Sequence, residues 1–161
     1  MQAHEDNGLA LPRGSLILVT GATGMIGSHV VNEALKAGYK VRGTSRSQER
    51  ADYTVDVFEN HPDYSTAVVK EVFLEGAWDE AMKEVNAVIH MATDLSFNPD
   101  PKEVVKATEE GVRNILRSAR RAGTVKRFVL TSSSSAALLP HPNEEITVSV
   151  DDWCQEAVDE A

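Results

Sequence analysis

Between Ser15 and Ala37 the chain changes from a strand-like to a helical hydrophobic pattern within a few residues. Ser15-Leu-Ile-Leu-Val-Thr20 is a short continuous apolar run bounded by Gly14 and Gly21, the pattern of a strand buried on both faces. From Met25 onward the apolar positions Ile26, Val30, Val31, Ala34 and Leu35 follow helical spacing, and Gly38 supplies a stop. Three glycines, Gly21, Gly24 and Gly27, fall in the join. A strand that turns at once into a helix over such glycines constrains the fold strongly. Gly21 permits the tight turn, Gly24 lets a ligand approach the main chain closely, and Gly27 allows the helix to pack against the strand. The N–H groups near Met25 and Ile26 then have no helical partner and face whatever anion lies in front of them. The bland reading of the same residues is a glycine-rich strand–helix turn.

The rhythm continues along the chain. Tyr39 to Thr44 predicts a second strand, Ala67-Val68-Val69 a third, and Ala87 to Met91 a fourth. Trp78 to Lys83 has the spacing of a short helix. Asn98-Pro-Asp-Pro101 introduces a long helix with Val104, Val105, Thr108, Val112, Ile115, Leu116 and Ala119 on one stripe, and Gly123 ends it. Lys106, Glu109, Arg113, Arg117 and Arg120 form its solvated face. Arg127 to Thr131 predicts a fifth strand. Strands alternating with helices imply right-handed βαβ units, hence an α/β protein. The expected architecture is a doubly wound parallel sheet of order 3-2-1-4-5, a three-layer αβα Rossmann fold. Its expected extent is residues 15–150, after an N-terminal extension over 1–14 and before an acidic tail over 151–161.

Charge bears on partners. The 161 residues carry a net charge of −9, which disfavours nucleic acid or an anionic membrane. No Lys or Arg follows Arg127, so the body is nearly neutral and the acidity sits at the C-terminal end. The four-residue aliphatic run Leu16–Val19 is far too short to span a bilayer. The polar first residues lack the apolar core of a secretory signal. One cysteine, Cys154, makes neither an intramolecular disulfide nor a thiolate metal site by itself. A cytoplasmic location is the default expectation, with no metal, and the sequence does not set whether the chain forms a homo-oligomer.

The spacing G-x-x-G-x-x-G after Val19-Thr20 resembles the short-chain dehydrogenase/reductase superfamily, and more closely its extended branch, the NAD-dependent epimerase/dehydratase type. Gly38-Tyr-Lys-Val-Arg-Gly-Thr-Ser-Arg46-Ser47, His90-Met-Ala-Thr93 and Val125-Lys-Arg-Phe-Val-Leu-Thr-Ser-Ser133 are similar to the aldehyde/ketone reductase and dihydroflavonol reductase group. The resemblance runs from Gly14 to about Trp153. It implies that Gly21, Thr23, Gly24, Met25, Ile26 and Gly27 cradle a dinucleotide pyrophosphate. Ala92 and Thr93 would follow the fourth strand along the ribose and pyrophosphate. Glu71-Val72 matches a pair beside the adenine, although the family usually has Asp where this chain has Glu71. His90, on an apolar strand, is expected to be a structural core group.

The residues also favour one cofactor. An NAD-preferring site places a carboxylate at the end of the second strand, for the ribose 2′-hydroxyl. Here no Asp or Glu occurs between Glu33 and Glu49, and Arg46 stands at that place. A guanidinium there can pair with a 2′-phosphate, so NADP(H) is expected, with Arg42 and Arg50 as further cations nearby. An arginine at a strand end can equally be a solvated surface group.

In the resembling group a serine just past the fifth strand holds the substrate carbonyl. Aligned on Leu130-Thr-Ser-Ser that is Ser133, or Ser134 if the register shifts by one, with Thr131 and Ser132 on the nicotinamide side. Serines at such a turn also serve simply to satisfy backbone groups. The expected activity is reduction of a small aldehyde or ketone by hydride transfer from NADPH. The alternatives are a nucleotide-sugar epimerase or dehydratase, and a non-catalytic NADP-binding module. The family's proton donor is a tyrosine with a lysine four positions on. The three tyrosines, Tyr39, Tyr53 and Tyr64, all precede the serine run, and none has Lys at that spacing. The pair would fall beyond Ala161, so these residues are expected to be a cofactor-binding half, inactive alone.

Overall fold

The structure is a computed structural model that describes residues 8–93 and 100–159. Asn98 and Pro99, the first seven residues and Glu160 of the acidic tail lie outside them. The chain divides into two compact units, Met1–Leu130 and Thr131–Ala161.

In the first unit five parallel strands, β1 (Leu16–Val19), β2 (Lys40–Ser45), β3 (Tyr64–Val68), β4 (Ala87–His90) and β5 (Arg127–Leu130), form one sheet. Its order is β3-β2-β1-β4-β5, as the alternation predicts. The helices are α1 (Met25–Lys36), α2 (Gln48–Val57) and α3 (Pro101–Ala122).

Alternation along β1 divides the interior in two. Leu18 joins Val69, Trp78, Met82, Val85, Val88, Ile115 and Ala119 on the α3 side. Ile17 and Val19 join Val31, Ala34, Val41 and Ala87 on the α1 side. Central strands buried on both faces are what a doubly wound sheet requires. Leu11, within the expected extension, is also buried in the α1-side core.

The helix ends follow their chemistry. The Asp100 carboxylate accepts from the N–H groups of Lys102 and Glu103, Pro101 occupies the first turn, and Gly123 closes α3 in the left-handed conformation at φ 70°. Ile115 and Ala119 of the expected stripe are buried, whereas Val105 and Leu116 are exposed. No described helix is long and apolar enough to cross a membrane.

Three expectations need correction. β3 starts at Tyr64, not Ala67, because Tyr64 pairs with Val41 at the start of the ladder. α2 is a helix that the periodicity did not predict, since only Ala51 and Thr54 of its ten residues are buried. Residues 78–83 form turns rather than a helix. Trp78, Ala81, Met82 and Val85 are buried at helical spacing. Arg42, however, donates through Nη1 to the carbonyls of Ala81 and Lys83, at 2.9 and 2.8 Å. The Val85 N–H goes to Met82 O instead of Ala81 O, so the helical ladder stops.

The second unit holds a 3-10 turn over Ser134–Ala136 and a short helix, α4 (Gln155–Asp159). The Cys154 N–H donates to Ala136 O, and His141 Nε2 lies 2.9 Å from a Glu156 carboxylate oxygen.

Of the glycines, Gly27 has the least room for a side chain. A Cβ there would stand 2.0 Å from Gly21 O and 2.7 Å from Gly21 C, both backbone atoms. Gly27→Ala is therefore expected to destabilise by at least the ~1–3 kcal/mol typical of overpacking. Urea unfolding checks this, and an unchanged midpoint would contradict the packing.

Candidate functional site

β1, β2, β3 and β4 all run the same way, so the segments that follow them emerge along one edge of the sheet. The glycine turn follows β1, Arg46 follows β2, Glu71-Val72 lies beyond β3, and Ala92-Thr93 beyond β4. The sheet thus brings four of the sequence-predicted groups to its carboxyl edge.

The turn has three distinct glycine environments. Gly21 adopts φ +71°, and a Cβ there would lie 3.4 Å from the Ala92 nitrogen. The turn after β1 and the end of β4 therefore touch. Gly27 is required by the packing described above. At Gly24 a Cβ would meet only Gly21 O, at 3.4 Å, so protein packing alone does not demand glycine. Gly24 is the N-cap of α1, in extended conformation, and among the described residues no side chain caps this helix. The first intrahelical bond runs from the Ser28 N–H to Gly24 O at 2.9 Å. The N–H groups of Met25, Ile26 and Gly27 thus belong to the turn that an α-helix leaves unpaired, at the positive end of its dipole. Met25 and Ile26 are exposed, Gly24 is exposed and Thr23 is half-buried.

Thr20 and His90 fix the floor under this turn. Thr20 is fully buried and His90 nearly so. Thr20 Oγ1 accepts from the N–H groups of Met91 and Ala92, each at 3.0 Å, and lies 2.8 Å from His90 Nδ1. With both acceptor positions of the hydroxyl taken, its proton goes to Nδ1, which places the imidazole proton on Nε2. His90 is then neutral. Burial between Trp78 and Phe128 lowers its pKa from the ordinary 6.5, in agreement. The expectation that His90 is a core group holds; the role of Thr20 had no signal beyond its place before Gly21.

At the end of β2, Arg46 is exposed and its side chain has no hydrogen bond or ion pair among the described residues. It sits between Ser45, which is buried, and half-buried Ser47, whose hydroxyl accepts from the Arg50 N–H and caps α2. Arg42 departs from its expected place as a nearby cation, because its guanidinium is spent on the carbonyls of residues 81 and 83. Glu71 is exposed and Val72 half-buried; Ala92 and Thr93 are exposed. Glu71 also lines an open cleft of about 610 Å³ together with Gln48, Val69, Leu74 and Ala77.

In the second unit Thr131, Ser132, Ser133 and Ser134 are all exposed. Ser133 Oγ accepts from the Ser135 N–H at 3.3 Å and so caps the 3-10 turn. Among the described residues its own proton has only a long contact, 3.4 Å, to Ser135 Oγ.

A parallel sheet, a glycine turn and a helix start without a side-chain cap at the carboxyl edge define a doubly wound, Rossmann-type protein. The chain belongs to the NAD dependent epimerase/dehydratase family, whose model matches residues 17–151. It is 45% identical over 162 residues to aldehyde reductase 2 of Sporidiobolus salmonicolor, covering 99% of this chain and 47% of that protein. It is 40% identical over 154 residues to the NAD-dependent epimerase/dehydratase terH of Aspergillus terreus, covering 94% and 45%. Yeast methylglyoxal/isovaleraldehyde reductase Gre2, solved with NADPH, superposes with a TM-score of 0.77 at 32% identity, over 86% of this chain and 44% of that one. The chain spans about half the length of the curated relatives it matches.

His90 generates a pH dependence. An unfolded histidine takes up its proton near pH 6.5, whereas the folded His90 does so lower. Below 6.5 the unfolded state therefore binds more protons, and stability falls as the pH drops through that value. Urea midpoints at pH 7.5 and 5.5 are expected to show this loss. His90→Asn, which keeps an acceptor for Thr20 but cannot titrate, is expected to reduce it; an identical pH slope in the variant would contradict the assignment.

Proposed function

We propose that this chain binds NADP(H) along the carboxyl edge of its sheet, and that the whole protein reduces a small aldehyde or ketone. The observation that carries the proposal is the start of α1. Its first N–H groups have no side-chain cap among the described residues, and a Cβ at Gly24 would meet only Gly21 O, at ordinary contact distance, so glycine there leaves room for a close ligand. That is a cradle for an anion, and a dinucleotide pyrophosphate fits its charge and its need for close backbone approach. Thr23, Met25 and Ile26 line it. Ala92 and Thr93 form the facing wall, held in place by Thr20.

Arg46 supplies the preference for the phosphorylated cofactor. Its side chain is uncommitted, and no carboxylate lies between Glu33 and Glu49 to accept a 2′-hydroxyl. Glu71 and Val72 are the proposed adenine wall. The relatives support the same cofactor, since Gre2 from yeast and from Candida albicans were each solved with NADPH.

When bound, the dinucleotide would supply the hydride. The protein's part is to hold it and to orient the carbonyl, and Ser133 is the residue proposed to donate to the carbonyl oxygen. Thr131 and Ser132 are proposed to line the nicotinamide side, and Ser134 is the neighbour that would replace Ser133 in a shifted register. Nothing after Ser133 in these residues supplies a Tyr-x-x-x-Lys proton donor. General acid assistance is worth roughly 10²–10⁴-fold, so these 161 residues alone are proposed to bind cofactor without turning over. NADPH oxidation by the whole protein with a panel of aldehydes and ketones tests the reading.

Arg46→Ala is expected to remove about 1.5–3 kcal/mol of the preference for NADPH over NADH, the range for a hydrogen bond to a charged group. Calorimetry with both cofactors measures this. Equal affinity for the two in the unmodified chain would refute the cofactor assignment.

A further inference from the structure

The segment beyond β3 carries two exposed apolar side chains, Phe73 and Leu74, yet its backbone is held from inside. Trp78, only 3% exposed, donates its indole N–H to Val72 O at 3.2 Å. Asn114, 7% exposed on α3, donates its amide N–H to Phe73 O. Two consecutive carbonyls are thus gripped by buried donors, one from the turns that follow and one from α3. α3 also meets the Phe73 ring. A Cβ on Gly111, one turn before Asn114, would lie 3.5 Å from Phe73 Cε1.

Satisfying these carbonyls does not by itself call for such donors, because a surface loop can use water. Asparagine is also a poor helix former, and burying its amide costs free energy that an apolar neighbour of Ile115 would not. What the two donors add is direction. With the carbonyls of residues 72 and 73 fixed, the Leu74 N–H reaches back to Glu71 O at 2.9 Å and closes a tight turn. That turn sets Glu71 and Leu74 in the wall of the cleft lined by Gln48, Val69 and Ala77.

We propose that Asn114 and Trp78 are positioning residues for the adenine end of the bound dinucleotide: they hold the Glu71–Val72 wall without touching the ligand. This rests on the reading of Glu71 and Val72 given above. α3 is then part of the cofactor site's support at a point where it contributes no ligand contact.

Asn114→Asp keeps the shape but sets an acceptor against the Phe73 carbonyl, and Trp78→Phe keeps an aromatic ring but loses the N–H. The probes are the two halves of the cofactor, 2′,5′-ADP and reduced nicotinamide mononucleotide, titrated by calorimetry and NMR into the 161-residue chain. Thermal unfolding identifies folded variants, and if Asn114→Asp does not fold, Trp78→Phe decides. The expected result is roughly a three- to tenfold loss of 2′,5′-ADP affinity with the mononucleotide unaffected. Unchanged 2′,5′-ADP affinity in a folded variant, or equal losses for both halves, would overturn the proposal. An unmodified chain that binds no 2′,5′-ADP would instead overturn the cofactor reading itself.

Discussion

The approach of α1 to the end of β1 is the constraint on which the rest depends. Gly27 packs so closely on Gly21 that a single methyl group would overlap a carbonyl. That contact fixes where the helix begins, and hence where its unpaired N–H groups lie. Thr20 ties the same point to the next strand, accepting from Met91 and Ala92 while donating to His90. One buried hydroxyl therefore holds two of the four carboxyl-end segments in register. A rigid floor matters because oriented backbone donors act through position, and small displacements weaken them.

Electrostatics is the basis of the proposed ligand preference. The helix dipole and the unpaired donors favour an anion beside Gly24. The exposed Arg46 adds a forked positive group at the end of β2, in a stretch with no carboxylate between Glu33 and Glu49. The two features lie on adjacent strands of the sheet, since β1 and β2 pair directly.

Much of this was legible in the sequence, and the exceptions have physical causes. β1 and β4 are continuous apolar runs because both faces are covered, so they read as strands. α1 and α3 announce themselves by periodicity and by Gly38 and Gly123. α2 does not, because it buries only Ala51 and Thr54 and leans on Ser47 as its cap. The Trp78–Lys83 segment misleads for the opposite reason: its burial is helical, but Arg42, distant in sequence, takes the carbonyls a helix would need. The glycine turn and Arg46 could be named from spacing alone. Thr20, Trp78 and Asn114 could not, since their effect comes from which backbone groups they meet across the fold.

The central claim is that Gly24 is glycine for the ligand's sake. In the protein a Cβ at Gly24 meets only one atom, at ordinary contact distance, so a side chain there should leave the fold standing. The most direct measurement is a fluorescence titration of NADPH into Gly24→Val beside the unmodified chain, with urea midpoints for both. The account predicts near-equal stability and loss of NADPH binding in the variant. Normal binding by a folded Gly24→Val chain would show that the turn serves only the packing of α1.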